Sequence, residues 1–547
     1  MLLRRLIRIS EYYGASPQFV LASGTIANPK ELAEKLTGLS FAVISEDGAP
    51  HGHKDFIIWN AGSNTHASEL KQAADLLAYL ARRDIPSICF TPGRQSAELV
   101  AKWADELAAT CKIVSYRAGY EPSYRRRLEH ALKTGVVKGV AATNALELGI
   151  AIGNLRAAIL CGYPGSICSM WQQAGRAGRT KEPSLAFLVA REDPLGQYFV
   201  RNPEDLFSMP HEHAVVSLDN RYVIENHLLC AGKELPVKAA DSIYFGSSLL
   251  KRVDVLVTKG RMAETPKGWI TPGPTQSINF DAIDEVAVEA RIQGKLLETF
   301  SRRQAILKVY PGAIFINRGD TYRVKSLTLG EGSMPGTAEV EPGESDCYTK
   351  PMSSVSIQIT SHLLEKKLSK FRLGLAPVDV EEQVHDYTLM RYDRPIYSKE
   401  IDTLKVSLDT VAVWVAVSED VIRLLKEKCL SADGALHAAE HALIHMIPYL
   451  ALGGKDDVGG VSTVFDISLH EAAIYIYDGY KGGIGIAEQV YENFFDLATI
   501  TLKMLSGCSC DDGCPSCVFD RYCGNSNTPL DKKGALLLLE LLINEYK

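Results

Sequence analysis

The chain has 547 residues, 46% hydrophobic and 23% charged, which is ordinary for a soluble globular protein and long enough for three or four domains. Its 59 basic and 66 acidic residues leave a net charge of −7, which excludes non-specific coating of a polyanion but leaves room for a local basic groove. The opening Met-Leu-Leu-Arg-Arg-Leu-Ile-Arg-Ile lacks the long apolar core and cleavage site of a leader and reads as a helix, and the apolar run Ala535–Leu542 is too short to span a bilayer, so a cytoplasmic protein is expected.

In chain order, Phe19–Ala22 is a strand-like apolar run. From 38 to 203 helical and strand patterns alternate. Ser68–Arg83 puts Leu70, Ala73, Ala74, Leu77 and Leu80 at helical spacing, and Pro86–Thr91 is a short run of the buried-strand kind. A helix at Ser96–Ala109, a strand at Lys112–Ser115, a basic helix at Ser123–Lys133 and a strand at Val136–Ala142 follow. Strands at Ala157–Cys161 and Leu185–Ala190 flank a helix around Trp171–Ala177. This rhythm predicts an α/β fold: a parallel sheet with helices on both faces. Residues 204–268 carry a helical His227–Leu235 and an alternating Val253–Met262, which suggests a small helical module with a β-wing. Residues 269–400 are rich in Gly, Pro, Thr and Val, with strand signals at Ala313–Asn317 and Thr321–Lys325, and read as a β-rich domain. Residues 401–547 mix strands (Val411–Val417, Ala473–Tyr477) with helices (Ala435–Leu452, Ile484–Leu505), a cysteine cluster and a terminal helix.

Four short motifs follow the strands. Ser23-Gly24-Thr25 comes after the first apolar run, and Thr91-Pro-Gly-Arg94 after the strand at 86–90. Thr143-Asn144-Ala-Leu-Glu147-Leu-Gly149 comes after the strand at 136–142, and Gln172-Gln173-Ala-Gly175-Arg176-Ala-Gly178-Arg179 closes the set. Ligands on parallel sheets bind at the carboxyl ends of strands, so the placement is physically sensible. Arg176 and Arg179 lie among Gly175 and Gly178, which let backbone approach a ligand. Guanidinium forks match phosphate oxygens and stay charged at any working pH. The sequence nonetheless contains no Gly-x-x-x-x-Gly-Lys-Ser/Thr loop and no Asp-Glu-x-Asp or Asp-Glu-x-His box for magnesium.

This set resembles motifs III, IV, V and VI of superfamily 2 DEAD/DEAH-box helicases. Residues Tyr116-Arg-Ala-Gly-Tyr120 through Gly149, Trp171 through Arg179, and Leu228–Leu235 are similar to the mitomycin repair factor A family. So are Tyr477-Asp478-Gly479, Gly482-Gly483 and Gly513-Cys514-Pro-Ser-Cys517, which match its C-terminal zinc-binding domain. The resemblance implies five stretches: 1–37 a remnant of the first RecA-like domain with motif III, 38–203 the second RecA-like domain, 204–268 a winged-helix-like module, 269–400 the β-rich domain and 401–547 the zinc-binding domain. It implies that Arg176 and Arg179 reach the γ-phosphate with Gln173 nearby, and that Gly149, Gly175 and Gly178 border the nucleotide. It also implies that Thr91, Arg94, Thr143 and Asn144 touch the nucleic-acid backbone, and that Ser23 and Thr25 couple hydrolysis to strand movement. An ATP-dependent helicase moving 3′ to 5′ on single-stranded DNA, in repair or defence, is the implied activity. The sequence departs from the pattern at Ala151, where the family has an aspartate, at Gly24, where it has an alanine, and at Gly196, where it has an aspartate. With no phosphate loop, ATP and magnesium are expected only at a site completed by another chain or by sequence lost from the frame, and the chain alone is expected to hydrolyse no ATP. A non-catalytic DNA-binding or scaffold protein of helicase descent is the alternative.

Seven of the 12 cysteines are scattered; Cys508, Cys510, Cys514, Cys517 and Cys523 are clustered. Cys514-Pro-Ser-Cys517 has the tight turn of a zinc knuckle in a polar segment, which predicts structural zinc. Cys510 and Cys523 are the favoured partners of the knuckle, with Cys508 able to replace either. His437-Ala-Ala-Glu440-His441 has the spacing of an inverted zinc-metalloprotease motif, with Asp456 and Asp457 as further candidates. Its apolar helix favours structural or DNA-proximal histidines over a zinc hydrolase. Arg125-Arg126-Arg127 reads as a solvated helix face.

Overall fold

The structure is a computed structural model. It describes every residue except 47, 49–51, 63–67, 118–119, 121, 149–152, 179–181, 275–287, 318–319, 331–334, 345–346, 392–393, 452, 454–456, 521–522 and 547, and the side chains of 94, 122 and 316.

Two helices come first, α1 (Leu2–Tyr12) and α2 (Pro29–Thr37). The apolar run at 19–22 forms no strand. Then β1 (Lys54–Asn60), α3 (Glu69–Arg82), β2 (Ser87–Phe90), α4 (Arg94–Ala108), β3 (Lys112–Tyr116), α5 (Pro122–Lys133), β4 (Val137–Ala142), β5 (Ala157–Cys161), α6 (Ile167–Ala174) and β6 (Ser184–Ala190) build a six-stranded sheet. Its order is β1-β6-β5-β2-β4-β3, and every neighbouring pair is parallel. All four residues of β2 are buried because both faces of the sheet are covered. Ile88 and Phe90 face one layer while Cys89 faces the other, against Ala73, Leu77 and Ala81 of α3.

The chain continues through α7 (Pro194–Arg201) and α8 (Pro203–Ser208) into a helical module of α9 (Arg221–Glu234), α10 (Ser242–Phe245), α11 (Leu249–Thr258) and a hairpin of β7 (Ala263–Thr265) and β8 (Gly268–Ile270). The alternating stretch from Val253 is helical as far as Thr258: Leu249, Val253 and Leu256 are buried on one face at helical spacing, which overrides the strand preference of valine. Helix α1 docks on this module. Arg8 pairs with Asp241 at 2.9 Å and donates to the carbonyls of Leu235 and Pro236 at 3.1 and 2.7 Å.

A five-stranded sheet follows, from β9 (Val288–Ile292), β10 (Lys295–Phe300), β11 (Ile314–Asn317), β12 (Asp320–Thr328) and β13 (Gly336–Pro342), with α12 (Arg302–Lys308) after β10. Next come β14 (Cys347–Ile359), β15 (Leu364–Lys367) and two long antiparallel strands, β16 (Phe371–Arg391) and β17 (Arg394–Val417). Strand β17 runs unbroken through residue 400, where the sequence suggested a boundary. The last part holds α13 (Glu419–Glu427), α14 (Ala432–Met446), β18 (Val458–Thr463), β19 (Ala472–Asp478), α15 (Ile486–Glu492), α16 (Phe494–Ser506) and α17 (Lys532–Tyr546). The helix expected over 484–505 is two, broken at Asn493, which ends one and begins the other.

The largest core cluster is shared. It joins Ile88, Phe90 and Leu160 of the parallel sheet, through Tyr198 and Phe199 of α7, to Ala438, Ala442 and Met446 of α14 and Leu539 of α17. At its rim Lys503 pairs with Asp205 at 2.9 Å, and Arg201 donates to the Gly507 carbonyl at 2.7 Å. Gly507 immediately precedes Cys508, so the parallel-sheet domain holds the chain where it enters the cysteine cluster.

Candidate functional site

At the carboxyl edge of the parallel sheet, Phe90 of β2 lies opposite Ala142 of β4. The next residues, Thr91 and Thr143, are therefore brought side by side. Thr91 donates its N–H to the Ala142 carbonyl at 2.8 Å and its hydroxyl to the Ala142 and Gly93 carbonyls at 3.3 Å each. Thr143 Oγ1 accepts the Ala145 N–H and caps a single 3-10 turn, on which Asn144 is exposed. Arg94 begins α4. Arg179, Gly149 and Ala151 lie outside the described residues, as does the Arg94 side chain.

Helix α6 carries the Gln-Gln pair. Ser166 caps it by accepting the Ser169 N–H at 3.0 Å, and Glu212 accepts the first free N–H groups, those of Ile167 and Cys168. These are donors a helix leaves unpaired at its start. From the next turns the chain reaches Glu147, which is buried. Its carboxylate accepts from Ser169 Oγ at 2.8 Å and Gln173 Nε2 at 2.9 Å, and its main-chain carbonyl accepts from Arg176 Nε at 2.8 Å and from Arg176 Nη2. Gln173 and Arg176 thus share a partner in Glu147, a motif residue whose sequence position alone gave it no role. Gly175 and Gly178 answer a packing need. A Cβ on Gly175 would lie 2.8 Å from the Trp171 carbonyl oxygen, and Gly178 has φ +76° with Ser184 Oγ 2.2 Å from the place of a Cβ.

The early motif joins this helix. Gln172 Nε2 donates to Thr25 Oγ1, Cys168 Sγ donates to the Thr25 carbonyl at 3.0 Å, and Ser23 Oγ accepts the Thr25 N–H at 3.4 Å. Gln172, which spacing alone did not single out, is the contact between residues 23–25 and α6. On α5, Arg126 and Arg127 are exposed.

Four of the five clustered thiols converge. Cys508 Sγ lies 3.6 Å from Cys510 Sγ and 3.5 Å from Cys514 Sγ; Cys517 Sγ lies 3.5 Å from Cys510 Sγ and 3.7 Å from Cys514 Sγ. Four sulfurs about 2.3 Å from a tetrahedral zinc stand about 3.8 Å apart, so the cluster fits that ion. Cys514 donates its N–H to Cys517 Sγ at 3.3 Å. The buried Lys532 ammonium donates to Cys510 Sγ at 3.4 Å and to the Cys508 and Cys510 carbonyls at 2.7 Å, offsetting part of the double negative charge of a zinc tetrathiolate. Burial alone would raise the Cys508 thiol, but the Cys510 N–H, the neighbouring thiols and Lys532 bring it down to about 7. Burial pushes Cys514 and Cys517 up.

The favoured pairing of Cys510 and Cys523 with the knuckle is therefore not the one the fold assembles: Cys508 takes the fourth corner. Cys523 instead faces His437, Sγ to Nε2 at 3.5 Å, in a second group with His441. Glu440, between the two histidines in sequence, packs against β18, where a Cβ on Gly460 would meet its carboxylate at 2.6 Å. Burial pushes that carboxyl up to about 7. Asp457 accepts the Tyr480 hydroxyl at 2.7 Å, and Asp456 lies outside the described residues.

Asp478 organises the adjoining loop. It is fully buried and accepts main-chain N–H groups from Ile484, Gly485, Ile486 and Ala487 at 2.6, 2.9, 3.3 and 2.7 Å. Asn220 holds the same loop from the helical module, donating to the carbonyls of Lys481 and Gly483 at 2.8 and 2.7 Å.

A six-stranded parallel sheet with paired threonines at its carboxyl edge and a Gln-Gly-Arg helix beside them defines a superfamily 2 helicase C-terminal domain. The sequence profile of the helicase conserved C-terminal domain matches residues 69–181. That of the HRQ1 winged helix domain matches 216–279, and that of the MrfA zinc-binding domain matches 439–518, which takes in Cys508, Cys510, Cys514 and Cys517. The chain belongs to the MrfA/YprA family of ATP-dependent superfamily 2 helicases. It is 31% identical over 539 residues to the ATP-dependent helicase YprA of Bacillus subtilis, covering 94% of this chain and 70% of that protein. It is 27% identical to ATP-dependent helicase HRQ1 of Saccharomyces cerevisiae over 99% of this chain and 54% of the relative, so it spans about half the length of the yeast protein. The solved structure of the DUF1998 helicase MrfA bound to DNA superposes with a TM-score of 0.68 at 29% identity, over 99% of this chain and 73% of that one. Among the described residues, no helix is long and apolar enough to cross a membrane.

Proposed function

We propose that these residues form the C-terminal portion of an ATP-dependent DNA helicase that moves 3′ to 5′ along single-stranded DNA, in DNA repair or defence, within the cytoplasm. The observation that carries the reading is the convergence of three motifs on α6 and the turn after it: Thr25 bonds Gln172, while Gln173 and Arg176 both bond Glu147. A change at the nucleotide side of α6 would therefore be felt at residues 23–25 and at the Thr143 turn. In this reading Arg176 and Arg179 reach the γ-phosphate, Gln173 sits beside it, and Gly149, Gly175 and Gly178 border the nucleotide. Thr91, Arg94, Thr143 and Asn144 hold the DNA backbone at the carboxyl edge of the sheet. Ser23 and Thr25 pass the hydrolysis signal on. The tetrathiolate zinc folds the C-terminal domain and has no open position for chemistry. The five stretches keep the sequence-based roles, except that β17 carries the β-rich part into the zinc-binding part without a break.

ATP and magnesium bind between this sheet and a RecA-like half that bears a phosphate loop and an Asp-Glu box, neither of which occurs in the 547 residues. That half is a separate chain or is joined to this sequence. The structures of MrfA bound to DNA, and to DNA and AMPPNP, support DNA and a nucleotide as ligands.

The test mixes the chain with a polypeptide carrying the phosphate loop and measures ATP turnover with single-stranded DNA. We expect no turnover by the chain alone, turnover by the mixture, and a loss of about 100-fold or more in Arg176→Ala and Arg179→Ala. Unwinding of duplexes with a 3′ but not a 5′ tail checks polarity. Turnover by the chain alone would overturn the composite site. DNA binding without turnover in any mixture would leave the non-catalytic reading.

A further inference from the structure

Helix α14 sends His437 and His441, one turn apart, to the same side. Each ring is pinned by a main-chain carbonyl: His437 Nδ1 lies 2.8 Å from the Pro529 oxygen, and His441 Nδ1 lies 2.8 Å from the Val518 oxygen. A carbonyl can only accept, so both Nδ1 atoms carry a proton, and the neutral ring that a metal takes presents its lone pair at Nε2. This is the arrangement that orients metal-ligating histidines. Cys523 Sγ stands 3.5 Å from His437 Nε2, and one donor atom from each of His437, His441 and Cys523 lies within 4.8 Å of the others. A zinc ion holding nitrogen at about 2.05 Å and sulfur at about 2.3 Å sets them about 3.6 Å apart. Cys523 Sγ also accepts the Asn527 N–H at 3.3 Å, a bond that suits a thiolate. All three residues are less than a tenth exposed. A plain thiol–imidazole hydrogen bond would explain one histidine only, since a single S–H proton cannot serve two Nε2 acceptors.

The geometry points to a second metal site: a zinc-type divalent cation bound by His437 Nε2, His441 Nε2 and Cys523 Sγ, with a solvent molecule as fourth ligand. It is distinct from the tetrathiolate cluster and tied to it, because His441 holds the carbonyl of Val518, the residue after Cys517. The two ions would brace residues 508–529 against α14 from both ends. The site does not depend on the helicase reading.

The test is metal content of the purified full chain, equilibrated with zinc and freed of excess. We expect two zinc ions per chain in the wild type, and one in each of Cys523→Ser, His437→Gln and His441→Gln. Cobalt(II) loading gives a second readout. The wild type should show a mixed nitrogen–sulfur cobalt spectrum on top of a tetrathiolate one, and the three variants the tetrathiolate spectrum alone. One zinc per chain in the wild type would overturn the proposal, as would two that survive Cys523→Ser. Should a variant fail to fold, the wild-type stoichiometry and cobalt spectrum decide by themselves.

Discussion

The motor site and the metal-bearing region differ in how much of their chemistry lies within these residues. Around Cys508–Cys517 all four ligands, the buried counter-charge of Lys532 and the main-chain donors come from one short stretch and the helix after it. Around α6 the polar groups bond one another, Arg176 and Gln173 to Glu147 and Gln172 to Thr25, and under the proposed function their phosphate comes from outside these residues. A structural site is closed by what it binds and can be complete in a single fold. A motor site must exchange partners during turnover, so its groups need resting contacts that are modest and replaceable. A hydrogen bond with one charged partner, such as Arg176 to the Glu147 carbonyl, contributes about 1.5–3 kcal/mol, and a bidentate guanidinium–phosphate pair, charged on both sides, can outbid it.

Metal removal tests this contrast with the largest effect. Structural zinc is worth about 10 kcal/mol or more of apparent binding free energy in small metal-dependent folds. Cys514→Ser with Cys517→Ser, or a strong chelator, should therefore abolish cooperative melting of the C-terminal region, followed by circular dichroism together with zinc content. Because Arg201 holds the Gly507 carbonyl and Tyr198 packs against Tyr449, the parallel-sheet domain should also lose several degrees. Unchanged melting after chelation would break the contrast at its root. Asp478→Ala comes next, at about 3–5 kcal/mol, since it strands four main-chain donors in a buried loop. The denaturant midpoint should fall without any change in zinc content.

Glu147→Ala is the matching change in the motor site. Arg176 bonds the main-chain carbonyl, which survives, so only Ser169 and Gln173 lose their acceptor. The expected cost is about 2 kcal/mol by denaturant titration, partly restored in Glu147→Gln. A loss as large as that of Asp478→Ala would show that the motor site is as tightly built as the loop. Thr25→Val keeps the shape and removes the acceptor for Gln172, at about 1 kcal/mol.

Much of this was legible in the sequence where the governing pattern is local. The strands at 87–90 and 157–161 are short, continuously buried runs, that at 184–190 is buried at all but Leu185, and α3 shows its helical spacing in full. Strand β1, Lys54–Asn60, was not read, because it lies at the sheet edge, is only half-buried and begins and ends in polar residues. The zinc knuckle was visible in the spacing of Cys514 and Cys517. The choice between Cys508 and Cys523 was not, since it is decided by His437, 86 positions away from Cys523. Glu147 was hidden for the same reason: it sits in a recognisable motif, but its task is set by Ser169, Gln173 and Arg176 on a later element.

The last effect is one of pH, not of substitution; it concerns the N-terminal helix, and it follows from a buried histidine. His227 of α9 accepts from Arg5 Nη1 at 3.1 Å through Nδ1, which requires the neutral ring, and Arg5 also pairs with Glu234. Burial first, then the positive charges of the Met1 amino group and Arg5, lower its pKa from 6.5 to about 4. The unfolded ring therefore binds a proton that the folded ring refuses between those values. Stability due to this residue is present in full above about pH 6.5 and is lost as the pH falls toward 4. A proton added in that window places an imidazolium against Arg5, so α1 should loosen from the helical module before the zinc-bearing region responds. Hydrogen exchange of residues 2–12 between pH 7 and 4 measures this, and His227→Gln should flatten the dependence. If exchange in α1 stays independent of pH across the window while α9 remains folded, the Arg5–His227 contact contributes nothing to docking, and Arg8 with Asp241 carries it.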